Sequence, residues 1–496
     1  MKKILFISFL FASLWMLNSA CDPESVMGED DTSSSTGSDD DGTQTETSGD
    51  YAWVDSLAES ITLNTTSIST TSSDVTVSGT TATITAGGYY SISGTLSNGQ
   101  LLVNAPDDTV RILLNGVTVA NSSTSPFYIE KAAKVIVFLA SSTTNTFTDA
   151  SSYSNSGEPK ACIFSNAYLA FTGSGTLKVT GKYNDGISSD DELIINNGNI
   201  TVSAVDDAIR GKDYLKINDG TISATSTSTG HALKSDNDDD SSLGYIDIEG
   251  GTLTLASSTK KGAKAVNAYI QNGGDVTITK SVEGIESINI ELNGGTLNIT
   301  SSDDGLNATK GTVSGGTESD DGSTIVISGG VLMTYSSSGD AIDSNGKFTM
   351  SGGIVVASGP TSNVEQPLDV NGNVLINGGV LIATGQSSNM NETPSTSSSQ
   401  PSLFVTSNST ISSSTYVDIQ IGGTDVITFK PKNSINMFIV SSSEMTKGAS
   451  YAIYTGGSYS ASTNYGGYYY GGSYTSGTSK KTGTLSSSST VNKISM

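Results

Sequence analysis

Basic residues are scarce: 24 Lys and Arg stand against 49 Asp and Glu in 496 residues, a formal net charge of −25 that becomes −27 if Lys2 and Lys3 are removed with a leader. A chain of this charge lacks the cationic footprint that nucleic-acid binding requires. Cysteine occurs twice, as Cys21 and Cys162, so modification of Cys21 leaves no internal disulfide, and Cys162 in Ala-Cys-Ile-Phe reads as a small buried apolar residue, not a nucleophile. The only histidine is His231. With 55 Gly, 9 Pro and long Ser/Thr tracts, the chain is neither a compact helical enzyme nor wholly disordered.

The apolar run Ile4 to Leu17 is too short for a good transmembrane span. Preceded by Lys2-Lys3 and followed by Asn18-Ser19-Ala20-Cys21, it reads as a secretory signal over 1–21 ending at a lipidation cysteine, although Asn18 stands where an aliphatic residue is more usual. The expectation is a lipid-anchored protein of the bacterial outer membrane or cell surface. Residues 22–50, rich in Ser, Thr, Gly and Asp, cannot offset ordering by burial and are expected to form a flexible acidic tether.

What the chain has in abundance is a repeated turn. Counting from the last turn glycine, the marks are Gly175, Gly198, Gly220, Gly251, Gly274, Gly295, Gly330, Gly353 and Gly379, at steps of 23, 22, 31, 23, 21, 35, 23 and 26. After each turn the apolar residues recur at every second position, as in Leu177/Val179, Ile200/Val202 and Leu297/Ile299, which is strand spacing with one face inward. A coil of that length cannot bury its inward residues alone and needs neighbours about 4.8 Å above and below. The pattern predicts an all-β fold, a right-handed parallel β-helix over 51–385 with about 14 coils in roughly 65 Å. A linker at 386–402 and a small Tyr/Gly-rich β segment at 403–496 follow. In the last coils the flanking positions turn apolar (Val331, Met333, Ile354, Val356, Val380, Ile382), so that segment is expected to pack on their outer face; a one-residue register shift is the alternative.

A second motif marks the coil corner. Asp185-Gly-Ile-Ser188, Asp207-Ala-Ile-Arg210, His231-Ala-Leu-Lys234, Lys261-Gly-Ala-Lys264, Glu283-Gly-Ile-Glu286, Asp304-Gly-Leu-Asn307, Asp340-Ala-Ile-Asp343 and Gln366-Pro-Leu-Asp369 all read polar, small, apolar, polar. The outer two positions should form ladders, with His231 a ladder member. Two like charges at roughly 5 Å repel by about 1 kcal/mol in water and about 3 to 4 kcal/mol at an effective dielectric near 20. Stacked Asp185 and Asp206/Asp207, and likewise Asp303/Asp304, therefore favour a cation unless the side chains splay into solvent. The two over-long coils carry acidic inserts around Asp236, Asp238 and Asp240 and around Asp320 and Asp321, clusters of hard oxygens that suit calcium. Asp190, Asp340 and Asp343 complete the candidate calcium ligands. Against this acidity, Arg210, Lys234 and Lys264 share one corner position in successive coils, and Tyr214, Tyr245 and Tyr269 open the next strands. Cations beside aromatic rings suit an acidic sugar chain, and a salt-bridged surface with strand-edge tyrosines is the alternative.

The runs Ile112-Leu-Leu-Asn-Gly-Val117, Ile129 to Leu139 and Asn145-Thr-Phe-Thr-Asp149, followed by the Asp-Gly-Ile and Asn-Gly-Gly coils, resemble a bacterial family of carbohydrate-binding domain-containing proteins. The resemblance implies a polysaccharide-lyase-like parallel β-helix associated with calcium and with plant cell-wall polymers such as acidic pectin or cellulose, and implies binding more strongly than cleavage. Three readings stand: a monomeric, surface-anchored, calcium-dependent polysaccharide-binding protein; a calcium-dependent pectate-type lyase acting by β-elimination, with Arg210, Lys234 or Lys264 as base; and a non-catalytic adhesin or spacer. No single catalytic residue is marked.

Overall fold

The computed structural model describes residues 44–154, 157, 159–312, 319–460 and 463–496. The signal segment, Cys21 and most of the expected tether lie outside them. The described chain is all β apart from short 3-10 turns, such as Ser48–Tyr51 and Asp55–Leu57, and among the described residues no helix is long and apolar enough to cross a membrane.

One coil shows how the sequence makes the solenoid. From the turn at Gly198 the chain runs through Asn199–Ala204, bends at the Asp206-Asp207 corner, makes the short strand Ile209–Gly211, turns again and closes with Tyr214–Ile217. Each strand pairs in parallel with its counterpart one coil on, without register slip. Alternation then stacks the inward residues: Leu177, Ile200, Ile222, Leu253, Val276, Leu297, Leu332, Val355 and Leu381 are successive ladder partners, all buried. Each contributes about 1.5–3 kcal/mol by leaving water. The turn glycines stack as well; at Gly295, φ is 70° and an added Cβ would fall on the backbone of Gly273 and Gly274 in the coil before. Only glycine tolerates both conditions.

The column begins on a polar residue. Asn145, fully buried and paired with Leu177, accepts the N–H groups of Gly116 and Val117 through Oδ1 at 3.0 and 2.9 Å, clamping the bulge in the strand Thr109–Ala120. This accounts for two of the sequence runs singled out above.

The short strands form a sheet of their own, with twelve parallel members from Thr81–Ile84 to Asp369–Val370. Twelve is fewer than the expected 14 or so. Before Thr81 the chain folds back in antiparallel pairs, Ala58–Thr65 with Ile68–Thr70 and Val75–Ser78 with Thr81–Ile84, and these pairs cap the stack.

At the far end, Val380–Gly385 pairs antiparallel with Ile435–Ser442, which pairs with Ser402–Ile411, and a six-stranded antiparallel sheet lies beyond. A second apolar core joins Val356 and Ile382 to Val417, Ile419, Ile427, Phe429 and Phe438 of this module, with Ile354 and Val380 packed against it. The apolar outer faces of the last coils are thus covered. The stretch read as a linker is docked too: Ser395 N–H donates to Val374 O at 2.7 Å and Gln400 N–H to Ile376 O at 3.1 Å.

The N-terminal flank is also more ordered than its composition suggests. Residues 44–53 cross the outer face of several coils as a strap, with Gln44 N–H donating to Glu192 at 2.9 Å, Glu46 pairing with Lys216 at 3.0 Å, and Asp50 pairing with Lys134 at 3.0 Å. Tyr51 and Trp53 pack on a cluster of Ile136, Phe138, Tyr168, Ala170, Ile194 and Tyr214. Residues 44–50, expected to belong to the tether, are thus held against the coils.

Cys162 is fully buried beside the main core, and burial together with Asp149 pushes its thiol well above the usual range. A thiol reagent is expected to label it only in denaturant. Rapid labelling of the native protein would contradict this packing.

Candidate functional site

The short-strand sheet carries two outward columns of polar side chains. The second corner position is in strict register, Ser188, Arg210, Lys234, Lys264, Glu286, Asn307, Asp343 and Asp369 being successive partners. The first corner position runs alongside. Here a carboxylate in one coil accepts a backbone N–H from the next: Asp207 N–H to Asp185 at 3.1 Å, His231 N–H to Asp207 at 2.7 Å, Asp340 N–H to Asp304 at 2.8 Å, and Gln366 N–H to Asp340.

The N-terminal half of this face is electrically matched. Arg210 meets Asp190 at 2.8 Å and Asp236 at 3.0 Å, while Lys234 meets Asp207 at 3.1 Å and Asp236 at 3.3 Å. Lys261 lies 3.0 Å from Glu286, which also pairs with Lys264. Burial works against the charge of Asp207, but Lys234 and His231 overcome it and hold the carboxyl far below the usual range. His231 is pushed down by burial and stays neutral, its Nδ1–H facing Asp207 Oδ1 at 2.9 Å. Asp185 is pushed well up by burial and by its neighbours Asp207 and Asp206. The expected Asp185–Asp206–Asp207 cation ladder is thus met by the protein's own groups, with Asp206 accepting from Thr229 Oγ1 at 3.1 Å.

The C-terminal half is unmatched. Burial, with Asp343, Glu283 and Asp303 nearby, pushes Asp304 up to about 9. Burial followed by Asp340 and Asp369 pushes Asp343 up to about 8; Asp340 rises to about 7 through burial, against a backbone N–H from Gln366, with Asp369 and Glu365 adding to the rise. Glu392, which accepts Val370 N–H at 3.0 Å, reaches about 7 through burial and Asp369. Among the described residues Asp304, Asp340 and Asp343 form no ion pair. Asn307, between Glu286 and Asp343, donates its amide to Glu283 at 3.2 Å and leaves a buried Oδ1 without a donor. Among the described residues no three carboxylate, imidazole or thiol groups converge as a closed metal site does.

The remaining candidates scatter. In the first insert Asp236 turns to Arg210 and Lys234, Asp238 is exposed, and Asp240 is exposed and accepts Ser242 N–H at 2.8 Å. In the second, Asp320 lies 3.5 Å from Lys347, and Asp321 accepts the N–H groups of Lys310 and Ser323 at 2.9 and 2.8 Å. Among the described residues neither insert gathers its carboxylates. The tyrosine ladder also breaks. Tyr214 and Tyr245 are partners, stacked at 5.0 Å and 8°, but they lie on the face beyond the corner from Arg210, under Tyr51 and Trp53. Tyr269 pairs with Ile246, not Tyr245, and points inward at 1% exposure. None of the three offers an open ring beside the basic ladder. Sequence reasoning missed the roles of Asp369, Glu365 and Glu392; the first stands in the corner motif, whereas Glu392 sits in the stretch read as linker.

Residues 78–323 match the family model described as carbohydrate-binding domain-containing protein. A curated relative of the same description, from Acetivibrio thermocellus, is 38% identical over 122 residues, covering 24% of this chain and 43% of its own length. This chain therefore spans less than half of that relative. A solved structure of the polysaccharide lyase-like protein from C. thermocellum, as a gadolinium derivative, aligns at 27% identity with a TM-score of 0.44, over 52% of this chain and 98% of its own. The family match takes in the matched half of the charged face and Asp304 but ends before Asp340, Asp343 and the C-terminal module.

Proposed function

We propose that this protein binds an acidic cell-wall polysaccharide along the short-strand face, with calcium bridging the polymer's carboxylates to the acidic half of the corner columns. The observation that carries the reading is the run of Asp304, Asp340 and Asp343, carboxylates of two consecutive coils that form no ion pair among the described residues and are pushed up first by burial and then by their acidic neighbours. The donors on offer, with Asp369 and Asn307 Oδ1, are all oxygens, the set calcium prefers. Because they do not close around a point, the remaining positions fall to water and to uronate groups of the polymer. The repeat of the coils along the axis suits a linear chain laid across them.

Binding without cleavage is the form of the reading that the charges favour. A base that removes a sugar C5 proton needs a lowered pKa. Burial alone would lower Arg210 and Lys234, but Asp236 and Asp190 for the first, and Asp207 and Asp236 for the second, raise both, so they stay protonated. We also read the coils as right-handed, from the chirality of parallel crossovers, and the protein as a monomer held at a bacterial surface through Cys21 and the residues before Gln44.

In calcium, polygalacturonate is expected to retain the protein in affinity electrophoresis, and chelator is expected to weaken retention at least about tenfold, the range of a lost bridging cation. No unsaturated product should accumulate. Equal retention in calcium and chelator would remove calcium from the reading, and rising ultraviolet absorbance from unsaturated ends would replace binding with lyase chemistry.

A further inference from the structure

The C-terminal module has a charge of the opposite sign from the rest of the chain. Residues 402–496 hold Lys430, Lys432, Lys447, Lys480, Lys481 and Lys493 against Asp418, Asp425 and Glu444, a net of +3 in a protein of −25. The same stretch is dense in tyrosine. In its six-stranded sheet, Val417, Ile419, Ile427, Phe429 and Tyr468 face the second core. The alternate residues take the other face, where Tyr469 is the ladder partner of Thr428, itself the partner of Asp418.

On that outer face three half-buried rings meet. Tyr416 and Tyr469 lie edge to face at 5.1 Å between centroids, Tyr459 is 5.6 Å from Tyr469 and 6.4 Å from Tyr416. Lys430 Nζ sits 4.0 Å from the centre of Tyr416 and 5.9 Å from that of Tyr469, and among the described residues it forms no ion pair. Two residues on, exposed Lys432 stands 5.3 Å over Tyr335 of the last coils. The rings are already fixed by one another and by the N–H of Gly472, which donates to Tyr459 Oη at 2.9 Å. Binding there costs little side-chain entropy.

We propose that Tyr416, Tyr459, Tyr469 and Lys430 form a second glycan-binding patch, one that takes uronate-bearing polysaccharide without calcium. Pyranose faces stack on the rings, and the carboxylate replaces water at an ammonium that has no protein counter-ion. An acidic polymer is repelled by the body of this chain and attracted here, so the patch also sets which end of the protein the polymer meets first. The choice of an acidic glycan rests on the function proposed above; the lack of a calcium requirement is what separates the two sites.

The test uses the full chain, excess chelator, and polygalacturonate titrated by calorimetry at low and at physiological salt. The parent is expected to retain salt-sensitive binding, Lys430→Gln to weaken it about fivefold, as loss of one charge contact would, and Tyr416→Ala with Tyr469→Ala to abolish it. Lys430→Gln keeps all three rings and removes only the charge over them, so it decides the matter even if the tyrosine variant folds poorly. No binding by the parent in chelator, equal binding by Lys430→Gln, or equal affinity for a neutral glucan each overturns the patch. Those results leave the calcium-dependent face standing. Conversely, a chelator-insensitive parent whose binding falls with Lys430→Gln supports the patch even where the calcium reading fails.

Discussion

In calcium-free buffer the melting temperature of this protein falls as the pH is raised from about 5 to about 9, by about 5 °C or more. The sign follows from the acidic half of the corner columns. Asp304, Asp343, Asp340 and Glu392 have folded pKa values of about 9, 8, 7 and 7, raised in each case first by burial. Their unfolded values lie near 4. Between those limits the native state binds more protons than the unfolded chain, and stability then decreases with rising pH. Forced to ionise at pH 8, the groups repel across neighbouring coils. The variant Asp304→Asn with Asp343→Asn should flatten the profile and melt higher than the parent at pH 8 in chelator. Calcium, if it binds as proposed, should raise the parent's melting temperature more at pH 8 than at pH 5 and do little for the variant. A parent profile in chelator that rises or stays level over this range would show that these carboxylates are not held protonated.

Replacing Asp207 by alanine is expected to destabilise the protein on the order of 3–5 kcal/mol, measured by chemical denaturation, because it breaks a buried ionic node and leaves its partners behind. Asp207 is 3% exposed, meets Lys234 through Oδ2, and takes both the backbone N–H and the ring N–H of His231 through Oδ1. Its charge is stabilised in the fold, so its contribution is present above pH 4 or so and lost as acid titrates it. Asp207→Asn should fall between parent and alanine, since the amide oxygen still accepts from His231. Exposed Asp238→Asn serves as the control and should change stability by less than about 0.5 kcal/mol. A change of that small size at Asp207 would mean the node is wet and splayed. Arg210 is ion-paired to Asp190 and Asp236 and only 16% of its side chain is exposed, so its removal disturbs the fold as well as any ligand.

The stacking was legible because a coil repeats its turn glycine and its inward aliphatics at a near-constant interval, and the corner columns were legible for the same reason. Which charges pair was not. Asp236 reaches Arg210 from an insert one coil on, and nothing in a linear pattern says that a loop carboxylate bends back instead of holding an ion. The tyrosines show how fine the margin is. Tyr214 and Tyr245 stand six residues before their turn glycines and Tyr269 five, and in a strand that single residue turns the ring from the outside to the core. The strap over 44–53 has too few apolar residues to declare itself; Glu46, Asp50, Tyr51 and Trp53 are anchored by groups distant in sequence, among them Lys216, Asn218, Lys134, Arg111 and the aromatic cluster.

That strap sets how the molecule carries a load. Tension on the chain ahead of Gln44 is taken up before it reaches the capping strand Ala58–Thr65, where strands would unzip one bond at a time. It enters at the coils of Lys134, Glu192 and Lys216, through contacts spread along the stack, which share the load in shear. If the chain is anchored ahead of Gln44 and holds a polymer on the later coils, as proposed, the pull between them runs through the middle of the stack, and the first coils stay outside the line of force.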